Sequence, residues 1–130
     1  MHGDYRIGNV MIAGDGTRTA VLDWELSTLG DPIADFSYLM LNWHNPADGR
    51  AGILDLDLEA LGIPAEAAYV QAYAQRTGRG ALPDWSYYLA FNMFRMAAIL
   101  HGILMRSRQG NASAADAART GAQARPMAEA

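Results

Sequence analysis

At Asp31-Pro32 the sequence changes its period, and that step limits the fold to a small β element followed by helices. Before it, the short apolar runs Asn9 to Ala13 and Thr19 to Leu22 flank Gly14-Asp15-Gly16-Thr17, which predicts a β-hairpin. After it, Ile33, Phe36, Leu39 and Met40 recur at three- and four-residue spacings on one helical face. Asp31 can accept from the free N–H groups of a first helical turn, and Pro32 in the first helical position gives up no hydrogen bond.

Three further helical segments are expected. Asn45-Pro46 and Asp48-Gly49 mark a loop, Pro64 opens a helix over Ala65 to Thr77, and Gly78 stops it. Asp84, after Pro83, is the expected cap of the longest helix, Trp85 to Gln109, closed by Gly110. That helix is apolar on nearly every side, so it is expected at the buried centre. An alanine-rich last helix begins at Asn111 or Ser113, its final residues fraying. The fold class is therefore α+β, mostly helical, a short hairpin with four to five helices in one domain over 1–130.

Composition narrows the chemistry. The 130 residues are 51% hydrophobic with a formal net charge of -4, which excludes disorder for most of the chain. With Cys 0 there is no disulfide framework, thiolate metal site or cysteine nucleophile. All 10 basic residues are arginine, so lysine chemistry is excluded, and neither cluster nor stripe among them suggests a nucleic-acid surface. Asn92, Arg95 and His101 interrupt the most apolar stretch, so a bilayer span is not expected there. The N-terminal residues lack the layout of a secretory leader. A soluble, cytoplasmic chain with neither nucleic-acid nor membrane partners is the expectation.

Two segments place polar residues where local pattern does not need them: His2-Gly3-Asp4-Tyr5-Arg6-Ile7-Gly8-Asn9 and Ala20-Val21-Leu22-Asp23-Trp24-Glu25. Asp4, Asn9 and Asp23 are hard oxygen groups that one hairpin would bring together, a set suited to Mg²⁺ rather than zinc. The alternative is that Asp4 and Asn9 cap turns and Asp23 caps the loop after the hairpin.

The spacing His2-Gly3-Asp4-x-x-x-x-Asn9 resembles the catalytic loop of the aminoglycoside phosphotransferase and choline kinase superfamily, a branch of the protein-kinase-like fold. Leu22-Asp23-Trp24-Glu25 resembles its metal-binding segment, and Gly30-Asp31-Pro32-Ile33-Ala34-Asp35 the start of its next helix. In wording, Leu22 to Pro32 is similar to the kinase-like domain that precedes acyl-CoA dehydrogenase in some large enzymes. The resemblance covers nearly the whole chain and implies a C-terminal lobe using ATP and Mg²⁺.

It implies Asp4 as the catalytic base, Asn9 and Asp23 as metal ligands, and Asp35 as a support tying its helix to the catalytic loop. His2 either touches nucleotide phosphate or braces the loop, and Arg6 either meets phosphate or lies on the surface. Glu25 either meets metal or a cationic substrate group, or is solvated. His44 and His101 read as structural histidines. Trp43, Trp85, Tyr87 and Tyr88 line an acceptor pocket or belong to the core.

The phosphate-covering loop and strand lysine of kinase-like enzymes are missing from this sequence, so it reads as the C-terminal lobe alone. Three functions remain open. One is a phosphotransferase lobe acting on a small-molecule hydroxyl, such as that of a hydroxyacyl thioester, and completed by an N-terminal lobe. The others are a non-catalytic module that pairs with itself or a partner, and a metal-dependent phosphohydrolase. Asp55, Asp57, Glu59 and Glu66 are too scattered to suggest a polycationic acceptor.

Overall fold

The computed structural model describes residues 1–47, 52–82, 84–111 and 116–129, which form two compact units, Met1–Tyr88 and Leu89–Ala130. Asp48, Gly49, Pro83 and Ser113 of the expectations above lie outside the described residues.

The first unit opens with the Asp4 loop and a 3₁₀ turn, Ile7–Asn9, which leads into β1 (Val10–Ile12). β1 pairs antiparallel with β2 (Arg18–Val21) in the register Val10↔Val21 and Met11↔Ala20, and a shift before Ile12↔Arg18 makes Thr19 the extra residue of a bulge. The turn is local chemistry. Gly16 N–H donates to the Ala13 carbonyl at 2.9 Å, and the Asp15 carboxylate accepts from the Thr17 N–H at 2.9 Å and hydroxyl at 2.7 Å. Those two bonds from Thr17 hold the Asp15 carboxyl below its ordinary pKa.

Helix α1 (Pro32–Met40) starts as expected, with the Asp31 side chain accepting from the Ile33 N–H at 2.9 Å. Ile33, Phe36 and Met40 are buried on one face, and Leu39 is half-buried. A 3₁₀ turn, Leu41–Trp43, follows directly. Helix α2 (Glu66–Arg76) ends in a Schellman motif: Gly78 N–H donates to the Gln75 carbonyl and Arg79 N–H to that of Ala74. Phe36 is the centre of this unit's aromatic packing, stacked on Tyr73 with ring centroids 3.9 Å apart and tilted against Trp85 at 5.5 Å.

Helix α3 (Trp85–Arg108) begins in the first unit and is the longest element of the second. Asp84 precedes it with φ 56, and its backbone carbonyl accepts from the Tyr87 N–H. The far end closes in another Schellman pattern, with Gly110 N–H on the Ser107 carbonyl and Asn111 N–H on that of Arg106.

The expectation that this helix is the buried centre is corrected. Only Leu89, Asn92, Ala97 and Leu100 are buried, while Phe94 is 73% exposed and Phe91, Ile99 and Met105 are exposed as well. Within the second unit its companions are two short, alanine-rich helices, too small to cover a helix that is apolar all round. By length and composition α3 is apolar enough to cross a membrane, with a mean hydropathy of 1.3 over its best window, 22% of which is buried. Its polar interruptions do not outweigh that apolar mass.

The last helix is in fact two: α4 (Ala117–Gly121) and α5 (Ala124–Glu129), separated by a turn at 122–123. Pro126 gives the reason. Inside a continuous helix it would remove a backbone bond and press on the preceding turn, whereas in the first turn of α5 its missing N–H is no loss.

Candidate active site

The site is built on a loop that Asp35 holds from one side. Its carboxylate accepts from the backbone N–H groups of His2 and of Gly3, the latter at 2.8 Å. Both bonds are buried, so α1 carries the anchor of the loop. Gly3 is required twice: its φ is +88, and a Cβ there would stand 2.5 Å from the Leu26 carbonyl oxygen.

The buried imidazole of His2 links the two chemical segments. Nε2 bonds the Leu22 carbonyl at 2.8 Å, and Nδ1 accepts from the Asp4 N–H at 3.3 Å. A carbonyl only accepts and an N–H only donates, so the pair requires the tautomer with its proton on Nε2. Both ring nitrogens are thus committed within the protein, which is the bracing role.

Asp4 points its carboxylate to the other side. Oδ2 accepts from Asn9 Nδ2 at 3.1 Å and from Arg6 Nε at 3.3 Å, and its side chain is 23% exposed. Asn9 is buried and donates a second bond from Nδ2 to the Asp4 carbonyl at 2.9 Å. With the amide nitrogen committed to Asp4, the amide oxygen is the atom left to coordinate a cation. Arg6 folds over Gly8, where a Cβ would come within 2.8 Å of Nη1, and its side chain remains 54% exposed.

Asp23 is delivered by the hairpin. The β1–β2 pairing continues one residue past β2, with Leu22 N–H donating to the Asn9 carbonyl at 2.8 Å. The next residue, Asp23, has φ 66 and an exposed carboxylate. Trp24 then turns back, its ring 4.6 Å from that of His2 and its Nε1–H donating to the Val21 carbonyl at 2.8 Å.

The structure thus brings together His2, Asp4, Arg6, Asn9 and Asp35, and anchors the residue before Asp23 to the same network. It leaves Glu25 exposed without a hydrogen bond or ion pair among the described residues. Sequence reasoning passed over Trp24 as a functional residue, although an aromatic directly after a strand-end carboxylate was the available signal.

The other expectations resolve differently. His44 bonds Glu66 Oε1 at 3.1 Å, and Trp85 donates to the same oxygen at 2.9 Å. Trp43 donates to the Pro64 carbonyl at 3.0 Å, and His101 is exposed rather than buried in a core. None of Trp43, Trp85, Tyr87 or Tyr88 lines the large cleft of the first unit. That cleft, about 480 Å³, is bounded instead by Tyr5, Asp35, Phe36, Tyr69 and Tyr73, with Arg18 and Arg76. Asp4, Asn9 and Asp23 are not among its lining residues, so this cleft is not the seat of the candidate chemistry.

Among the described residues, no three His, Asp or Glu side chains gather into a metal cage. The donor set is one carboxylate and one amide oxygen. That fits a cation such as Mg²⁺, which takes one or two protein oxygens and keeps water and phosphate for the rest.

The profile of the phosphotransferase enzyme family matches residues 1–91, from the Asp4 loop through α2 into α3. The chain belongs to that family. It is 53% identical to a Ralstonia eutropha protein named provisionally as an aminoglycoside phosphotransferase, whose crystal structure matches 98% of this chain with a TM-score of 0.93. It is also 42% identical over 132 residues to mouse acyl-CoA dehydrogenase family member 10, and 33% identical over 135 residues to rat acyl-CoA dehydrogenase family member 11. Each of these two matches covers 99% of this chain. The chain spans only 12% and 17% of those two relatives, and 39% of the solved protein. Its fold is the α+β, mostly helical arrangement expected, matching part of a kinase-like fold.

Proposed function

We propose that the chain is the catalytic lobe of an ATP- and Mg²⁺-dependent phosphotransferase that phosphorylates a hydroxyl of a small molecule. The observation that carries this reading is the hydrogen bond from Leu22 N–H to the Asn9 carbonyl, which makes two candidate ligand segments neighbours beside Asp4.

Asp4 accepts the proton of the acceptor hydroxyl as that oxygen attacks the γ-phosphorus, and the bond to the β–γ bridging oxygen breaks to release ADP. Its bonds from Asn9 and Arg6 orient the carboxylate for that task. Asn9 and Asp23 would hold Mg²⁺, which neutralises charge on the phosphates when bound. The exposed guanidinium of Arg6 is within the same loop and suits a phosphate oxygen. An N-terminal lobe would close over the nucleotide.

The dehydrogenase names of the mammalian relatives support an acceptor hydroxyl on an acyl thioester. Glu66, one of the few acids available to grip a polycation, is already committed to His44 and Trp85. We read α3 as a helix of this lobe, because the match to the solved phosphotransferase extends over nearly all of the chain.

Thermal unfolding with and without Mg²⁺ and ATP, alongside Asp23→Ala, tests the reading. A ligand at about 100 times its Kd adds roughly 2.7 kcal/mol. The expected result is a higher Tm for the wild type and no change for Asp23→Ala. An unchanged wild-type Tm at saturating Mg²⁺ and ATP overturns nucleotide binding by this lobe.

A further inference from the structure

We propose that Trp24 is a positioning residue that latches Asp23 in the conformation needed for metal binding. The proposal rests on the assignment of Asp23 as a metal ligand.

The backbone around Asp23 is pinned on both sides. Leu22 is held through its N–H by the Asn9 carbonyl and through its own carbonyl by His2 Nε2. Between Leu22 and Trp24, Asp23 takes φ 66, a left-handed conformation that residues carrying a Cβ adopt only occasionally, aspartate more readily than most. That conformation folds the chain back, so that the next side chain reaches the strand it has just left. The indole N–H of Trp24 then closes on the Val21 carbonyl at 2.8 Å, spanning Leu22 and Asp23. Ser27 N–H donates to the Trp24 carbonyl at 2.9 Å and secures the far side.

The indole bond and the left-handed turn stabilise each other. If Asp23 relaxes to an extended conformation, Trp24 is carried away from Val21 and the bond is lost. If the bond is removed, Asp23 loses one of the interactions that offset its strain. The fraction of molecules with Asp23 ready for metal falls, and apparent affinity falls by the same factor. Trp24 is 55% exposed, so this is a local device and not a pillar of the core. Phenylalanine keeps an aromatic ring for His2 but cannot donate a hydrogen bond, so it separates the two contacts of Trp24.

The test is Mn²⁺ binding to the full chain, followed by the paramagnetic signal of the free ion without turnover. Wild type, Trp24→Phe, Trp24→Ala and Asp23→Ala are compared, and far-UV circular dichroism checks that each is folded. A net hydrogen bond of about 1 kcal/mol corresponds to a loss of up to about fivefold in affinity. The expected result is that loss in both Trp24 variants and no measurable binding in Asp23→Ala. Wild-type affinity in Trp24→Phe overturns the latch, whether or not Trp24→Ala is weakened, because the ring and not the N–H would then matter. Wild-type affinity in Asp23→Ala instead overturns the assignment of Asp23 on which the latch depends.

Discussion

His2 Nε2 lies 2.8 Å from the carbonyl oxygen of Leu22, so one buried imidazole joins the loop carrying Asp4 to the strand end carrying Asp23. The two residues are 20 positions apart, and the ring between them also accepts the N–H of Asp4. A phosphotransferase needs its base and its metal ligands in one rigid relationship, since positioning supplies much of the rate. On the proposed assignment of Asp4 and Asp23, that relationship passes through a side chain that need not touch the substrate.

Replacing His2 with alanine removes both bonds and leaves the Leu22 carbonyl without its donor. The expected destabilisation is about 1–3 kcal/mol, read by urea denaturation. Metal affinity falls as well, because Asp23 loses its link to the loop. A variant as stable as wild type would show that the bridge contributes nothing to the fold.

Gly3→Ala puts a methyl group on a residue at φ +88, directly against the Leu26 carbonyl. The positive φ alone is unfavourable by about 1–2 kcal/mol, and the collision adds to it. The expected outcome is a loss of at least about 2 kcal/mol in denaturant titration, with activity falling as the loop shifts.

Asp35→Asn tests the anchor behind the loop. The carboxylate satisfies two backbone donors, whereas an amide offers one oxygen and turns an NH₂ group toward the other N–H. One buried donor left unpaired implies a loss of about 1–3 kcal/mol. Faster hydrogen exchange at His2 and Gly3, with the hairpin amides unchanged, would localise the effect.

The Asp31–Tyr88 pair predicts a pH dependence. The Tyr88 hydroxyl donates to Asp31 Oδ2, and this bond first, then the Ile33 N–H, hold the Asp31 carboxyl below its ordinary pKa. A lowered folded-state pKa contributes stability that is full above the ordinary carboxylate value and is lost as pH falls through the lowered one. The same bond raises the Tyr88 hydroxyl, whose contribution is full below the ordinary tyrosine value and is lost as pH rises through the raised one. Tyr88→Phe is therefore expected to flatten both the acid and the alkaline limbs of a stability–pH profile. Because Asp31 is exposed and Tyr88 only half-buried, solvent screens the pair and the change at neutral pH is small.

The elements legible in the residue order are those decided within a few positions. Asp31 next to Pro32 capped α1 as expected, Gly78 and Gly110 mark the ends of α2 and α3, and the Gly-Asp-Gly turn closes the hairpin. The pairing that sets Leu22, the residue before Asp23, against Asn9 was equally legible, because one short hairpin determines it. In each case a side chain meets backbone a turn away, or a φ value suits one residue type, so no distant partner is needed.

Tertiary structure alone decided how those pieces became a site. The family resemblance implied that Asp35 ties its helix to the loop, but the residues around His2 do not by themselves say that a carboxylate 33 residues away accepts from its N–H, or that its ring nitrogens divide between Asp4 and Leu22. The left-handed turn at Asp23 and the return of Trp24 to Val21 depend on a strand already paired. Burial was decided at the same level. The apolar pattern of α3 showed what the helix could bury, but only its packing determined that Phe94 stays exposed while Asn92 is fully enclosed. Hydrophobicity is a property of a residue, whereas burial depends on which surfaces meet it.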